Sequence, residues 1–177
     1  MFTQISLKRL DKLEAKKQSP FEIIASSKGY SPRKKNSSDE LCKDVSHILT
    51  AKSKDGKPIS IKVDVKKNKN KKQFEDWIWI EFKNSRGKAG WIHGDSHFVV
   101  FERSEDFLFI NRKELLAWVN GSKKIRYDLP FVNLAKKAKY RIYQREGKRE
   151  EISQVNVKDL QELKSYQLWK KQDAPST

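Results

Sequence analysis

Within residues 5–17, Leu7, Leu10 and Leu13 recur at a spacing of three with charges between them, which predicts a short amphipathic helix. A second helix is predicted from Ser19. Its hydroxyl can cap the helix, Pro20 suits the first helical position, Glu22 completes a capping box, and Gly29 ends the run. Residues 31–38 (SPRKKNSS) are polar and basic and read as a mobile loop. The period then falls to two. Residues 45–51 are one strand candidate, Asp55-Gly56 is a turn, and residues 59–66 are a second strand, in which Ile59, Ile61, Val63 and Val65 alternate with Ser60, Lys62, Asp64 and Lys66. Beyond the basic loop 67–72, residues 77–83 alternate again, with Ile78, Ile80 and Phe82 opposite Trp77, Trp79, Glu81 and Lys83. Residues 98–101 and 107–110 read as strands around a charged turn, and Asn111 as the cap of a helix reaching Val119. Residues 140–143 and 152–157 read as a late hairpin turning at Gly147, and 159–163 as a last helical turn. Helices, then strands, then mixed elements, without an internal repeat, predict an α+β or mixed α/β domain rather than a bundle.

Composition adds a core and a partner. The 177 residues suit one domain, and nine Phe, five Tyr and five Trp supply apolar bulk that excludes wholesale disorder. Lys and Arg number 39 against 23 Asp and Glu, a net charge of +16. Such a surplus repels itself in a compact chain, and a polyanion relieves it with release of counterions. A Lys-rich proteome would give the same balance. Cys42 is the only cysteine, so neither a disulfide framework nor a cysteine-rich zinc site can form within one chain. The first thirty residues lack the apolar stretch of a signal peptide, and no apolar run approaches membrane-spanning length. The expectation is a reducing cytoplasm, that of an infected host cell included, with a polyanion as partner and no membrane.

The candidate chemistry lies between Asp44 and Lys66. If Lys54-Asp55-Gly56 is a three-residue hairpin loop with Gly56 left-handed, paired residue numbers sum to 110. His47 then faces Val63, Leu49 faces Ile61, Thr50 faces Ser60, Ser46 faces Asp64 and Asp44 faces Lys66. A slip by one residue would break the apolar match. The register gathers Asp44, Asp64 and Lys66 at one end of one face. Two carboxylates can bridge a Mg²⁺ or Mn²⁺, with the Val65 carbonyl as a further oxygen ligand, and Lys66 can orient a water or stabilise developing phosphorane charge. Arg33, Lys34, Lys35, Lys67, Lys69, Lys71, Lys72 and Lys83 are candidate phosphate contacts.

Asp44 followed about twenty residues later by Asp64-Val65-Lys66 resembles the PD-(D/E)XK nuclease motif. The run Glu81-Phe82-Lys83-Asn84, Gly90-Trp91, Gly94-Asp95 and Phe98 to Glu102 is similar to small phage-type members of that superfamily. The resemblance covers roughly residues 20–118. No proline precedes Asp44, and the second acid is Asp where Glu is commoner. The resemblance implies a restriction-endonuclease-like core, a central mixed sheet flanked by helices, over residues 19–165. An N-terminal helix within residues 1–18 would precede it and a flexible tail, 166–177, would follow. It implies a metal-dependent endonuclease hydrolysing DNA at a specific site or a branch, with Glu22 on the preceding helix as a further metal or water contact, and a homodimer to cut two strands. A rival assignment makes Asp64 the first acid and Glu81-x-Lys83 the second half, and Glu81 could support the metal in either scheme. The alternative function is a non-catalytic basic protein that binds DNA or RNA.

Plainer readings stand beside these. Asp64 and Lys66 also fit the solvated side of an edge strand. His93-Gly94-Asp95-Ser96-His97 could present three metal ligands at a turn or be a turn alone. His47 fits a satisfied interior histidine. Trp77, Trp79, Trp91 and Trp118 could stack on bases or pack in the core.

Overall fold

The computed structural model describes residues 18–36, 42–67 and 75–173. The helix predicted over residues 5–17, and Lys69, Lys71 and Lys72, lie outside the described residues. Helix α1 (Pro20–Ser27) starts as its sequence requires: the Ser19 hydroxyl accepts the Glu22 N–H, and the Glu22 carboxylate accepts the Ser19 N–H at 2.7 Å. Next comes β1 (Ser31–Lys34), where a loop was expected; it pairs antiparallel with β2 (His47–Lys52). Its polar side chains do not prevent this, because an edge strand needs only backbone partners.

The hairpin of β2 and β3 (Pro58–Lys66) has the expected register. Every ladder pair sums to 110, from His47↔Val63 to Lys52↔Pro58, and Gly56 has φ of +77°. The ladder stops at His47, however. Asp44 has φ of +52°, so the chain turns out of the sheet there, and the expected Asp44–Lys66 cross-strand pair does not form. The Ser46 hydroxyl takes up one freed donor by accepting the Val65 N–H at 2.8 Å.

The main sheet has six strands in the order β1-β2-β3-β5-β6-β8, with β5 (Phe98–Glu102), β6 (Asp106–Asn111) and β8 (Gln167–Lys170). All neighbours are antiparallel except β3 and β5, so the sheet is mixed. Strand β8 lies in what the sequence presented as tail. Trp169 is buried there against Phe109 and α1, and that apolar contact orders the segment. Strand β4 (Trp77–Lys83) leaves the main sheet and pairs with β7 (Glu151–Asn156) in a second, two-stranded sheet. Of the late hairpin there remain the bridge Tyr143↔Ile152 and the Tyr140 N–H donating to the Gln154 carbonyl at 2.8 Å, without a strand over residues 140–143. Asn111 caps α2 (Arg112–Gly121) as expected, and α3 (Val157–Leu160) follows β7.

Strands β5 and β6 are continuous apolar runs because both their faces are covered. Val100, Phe107 and Phe109 join Phe21, Ile24, Leu49, Val63 and Trp169 on the α1 side. Val99, Phe101, Leu108 and Ile110 pack with Ile80 of β4, Val155 of β7 and Leu115 of α2 on the other. This is a mixed α+β domain with a central sheet and few helices. Among the described residues no helix is long and apolar enough to cross a membrane.

Candidate active site

Side chains alternate along β3. Val63 faces α1, so Asp64 faces the β4–β7 layer. There it is buried, with its Oδ2 2.7 Å from the Lys66 ammonium in an ion pair. Burial pushes the Asp64 carboxyl up; Lys66 opposes this and Asp44 adds to it. Glu81 is also pushed up, first by burial and then by Asp44 and Asp64, against the Trp91 N–H and Lys66. The three acids and one ammonium therefore share one electrostatic neighbourhood, although they come from a turn, β3 and β4.

Two glycines make this approach sterically allowed. A Cβ at Gly94 would stand 2.6 Å from the Asp44 Cβ, and one at Gly90 would stand 2.9 Å from the Glu81 Cγ. Around these contacts, the Asp95 carboxylate accepts the Lys43 N–H at 2.7 Å, the Asp95 N–H donates to the Lys43 carbonyl at 2.8 Å, and the Trp91 N–H donates to Glu81 Oε1 at 3.3 Å. The Trp91 ring lies 4.9 Å beneath the Lys66 ammonium. The 90–95 segment is thus the clamp that holds Asp44, Glu81 and Lys66 in place. From the sequence it read as turns; its glycine spacing was visible, but its target was not.

Other expected members are placed elsewhere. Glu22 is on the α1 side of the sheet, held by Ser19, 3.8 Å from Lys34 and 4.0 Å from His47. Burial would raise its carboxyl, but the Ser19 bonds, Lys34 and His47 outweigh this and hold it below the usual range. Its carboxylate is committed to the helix cap and does not join the acids. His47 is an interior histidine, buried against Phe21, and burial depresses its pKa; it is not the fully satisfied histidine expected, because Nδ1 meets the Ser46 hydroxyl at 2.9 Å but buried Nε2 has no hydrogen-bond partner. Lys83 pairs with Glu151 at 2.6 Å, so the ammonium at the acids is that of Lys66. This favours Asp64-x-Lys66 over Glu81-x-Lys83. Val65 stays in the ladder with β5. Arg33 and Lys34 lie on β1, and the Lys35 ammonium donates to the Cys42 carbonyl, on the approach to Asp44. Trp118 is buried with its indole N–H on Glu162.

The donor set suits a hard divalent cation: Asp44 Oδ2 is buried and accepts no hydrogen bond, a costly state for a carboxylate oxygen that a cation would relieve. Among the described residues, no three His, Cys, Asp or Glu side chains already stand close enough together to enclose an ion. Beside Lys66 opens a cleft of about 160 Å³ whose lining includes Trp77, Trp79 and Trp91, the cations Lys67 and Arg103 and the acids Glu75 and Glu102. Comparison with protein-family models, with curated proteins and with solved structures finds no match.

Proposed function

We propose that this protein is a metal-dependent endonuclease that hydrolyses DNA, built on a restriction-endonuclease-like core. One observation carries the reading: Asp44, Asp64 and Glu81 are brought within electrostatic reach of one another and of Lys66, at the end of a hairpin, in a chain of net charge +16. Burial and neighbouring acids hold the Asp64 and Glu81 carboxyls above the usual carboxylate range, a perturbation common at functional sites.

Asp44 and Asp64 would hold a Mg²⁺ or Mn²⁺, with Glu81 close by. When bound, that ion supplies Lewis acidity at a phosphate oxygen and lowers the pKa of a water. Lys66 neutralises Asp64; were Asp64 to hold a cation, the Lys66 ammonium would be free to face a phosphate oxygen and stabilise the charge that develops there. The Trp91 ring, 4.9 Å from the Lys66 ammonium, helps to keep it at the site. Lys67, at the cleft beside Lys66, would meet the phosphate backbone.

The test is incubation with plasmid, linear and four-way-junction DNA, in Mg²⁺ or in EDTA. Cleavage is expected in Mg²⁺ only. Asp64→Ala and Lys66→Ala should each lower it by at least about a hundredfold, a range typical for loss of one charge-stabilising group, while Asp64→Ala binds DNA as tightly as wild type. Binding without cleavage of any substrate would leave a non-catalytic basic protein.

A further inference from the structure

The segment His93 to His97 does more than clamp Asp44. On its far side lies a second and larger cleft, of about 610 Å³, whose lining includes Gly94, Ser96, His97, Lys62, Arg112 and Lys113. Gly94 is common to both sites, since its other side rests on Asp44. The two sites therefore share a wall.

Several independent features give this cleft an anion's complement. Three cations, Lys62, Lys113 and Arg112, act on His97 and depress its pKa further than burial alone does. Arg112 is itself buried, with Nε on the Ser96 carbonyl at 3.0 Å and Nη1 on the Ile92 carbonyl at 2.9 Å, so the backbone of the clamp holds its charge in position. The cleft also adjoins the N-terminal turn of α2, a ten-residue helix, where the helix dipole favours negative charge. Ser96 in the cleft wall is 2% exposed, and its buried hydroxyl has no hydrogen-bond partner. A buried hydroxyl left unpaired is costly unless a ligand completes it. His97 Nδ1 accepts the Lys62 N–H at 3.2 Å, so the neutral ring carries its proton on Nε2, as a donor. The one acid in the lining, Asp95, is already engaged by the Lys43 N–H.

We infer that this cleft is a second phosphate-binding subsite, which takes a backbone phosphate of the nucleic acid whose scissile bond lies at Asp44, Asp64 and Lys66. The inference rests on the nuclease reading for the identity of the strand, and on the cleft alone for the phosphate. Lys62 and Lys113 attract the phosphate, and His97 donates to it. By holding the strand on the far side of Gly94, the subsite sets which phosphate reaches the acids. Of the His-x-Asp-x-His pattern, His97 with the Gly94–Ser96 backbone forms this wall, while His93 lies outside it.

The test is fluorescence anisotropy with a labelled duplex and a labelled single strand in EDTA, over a NaCl titration, for the full chain and for the double variant Lys62→Ala, Lys113→Ala. Affinity should fall about tenfold, and the slope of log Kd against log salt should drop by about one, because one phosphate is no longer neutralised. The double variant Lys62→Arg, Lys113→Arg should keep both values, and melting temperatures of both variants should match wild type because these side chains lie at the surface. Unchanged affinity and slope in the alanine variant overturn the subsite, even where the wild type cleaves DNA in Mg²⁺. A loss of affinity in the alanine variant upholds it, even where no metal supports cleavage and the nuclease reading fails. Competition by inorganic phosphate with no effect of the substitutions on DNA binding marks a free-anion site and also overturns it.

Discussion

Asp64 shows what a single side chain gives up to be where it is. Burial and Asp44 hold its proton more tightly in the fold than the ordinary value of 3.8 would. The folded chain therefore binds more protons than the unfolded one between that value and the raised one. Stability falls as pH rises through this window, and the loss is complete above it. Replacing the carboxylate by an amide removes the penalty. Asp64→Asn is expected to melt higher than wild type at neutral pH and at the same temperature below pH 3.8. Added Mg²⁺ should raise the wild-type melting temperature and leave that of the variant unmoved, because only a ligand of the folded state adds stability. A variant that melts lower at neutral pH would mean that Asp64 serves the fold through its Lys66 ion pair and nothing else. Glu22 makes the opposite point. Its capping box was legible in the short stretch from Ser19 to Glu22, and that same bond keeps it from the role the family resemblance implied.

At the scale of elements, two glycines separate a turn from a clamp. A Cβ at Gly56 meets nothing within 4 Å, but the residue sits at φ of +77°. Gly56→Ala should cost about 1–2 kcal/mol for the left-handed backbone and leave cleavage unchanged. A Cβ at Gly94 meets Asp44 at 2.6 Å and the Lys43 carbonyl oxygen at 3.1 Å. Gly94→Ala should cost about 1–3 kcal/mol of overpacking and, by displacing Asp44, lower single-turnover cleavage at least about tenfold, which is only ~1.4 kcal/mol at the barrier. Urea unfolding beside cleavage separates the two effects; equal loss of cleavage in both variants would remove the clamp from the account. The β2–β3 register was legible because a turn glycine and apolar alternation lie within a few residues of each other and agree. The partner of β4 was not, because Ile78↔Val155 joins residues far apart in the chain and either sheet would have accepted the same apolar face.

For the whole molecule, a charge of +16 acts against compactness. Raising NaCl should lift the melting temperature by roughly 2–4 °C, about 1 kcal/mol for a chain of this length. Duplex DNA should do the same at low salt and less at high salt; a melting temperature indifferent to both would show that the surplus is spread too thinly to matter. Local pattern alone determined the helix starts at Ser19 and Asn111, the hairpin about Gly56 and the separation of Asp64 and Lys66 from Val63 and Val65, since each depends on residues within a few positions of one another. Tertiary structure alone decided that Glu81 joins Asp44 and Asp64, that Lys83 and Glu22 do not, and that Gln167–Lys170 is a strand. Those outcomes follow from which distant surfaces bury each other. Burial energy depends on area and shape and carries no signature in the order of residues along the chain.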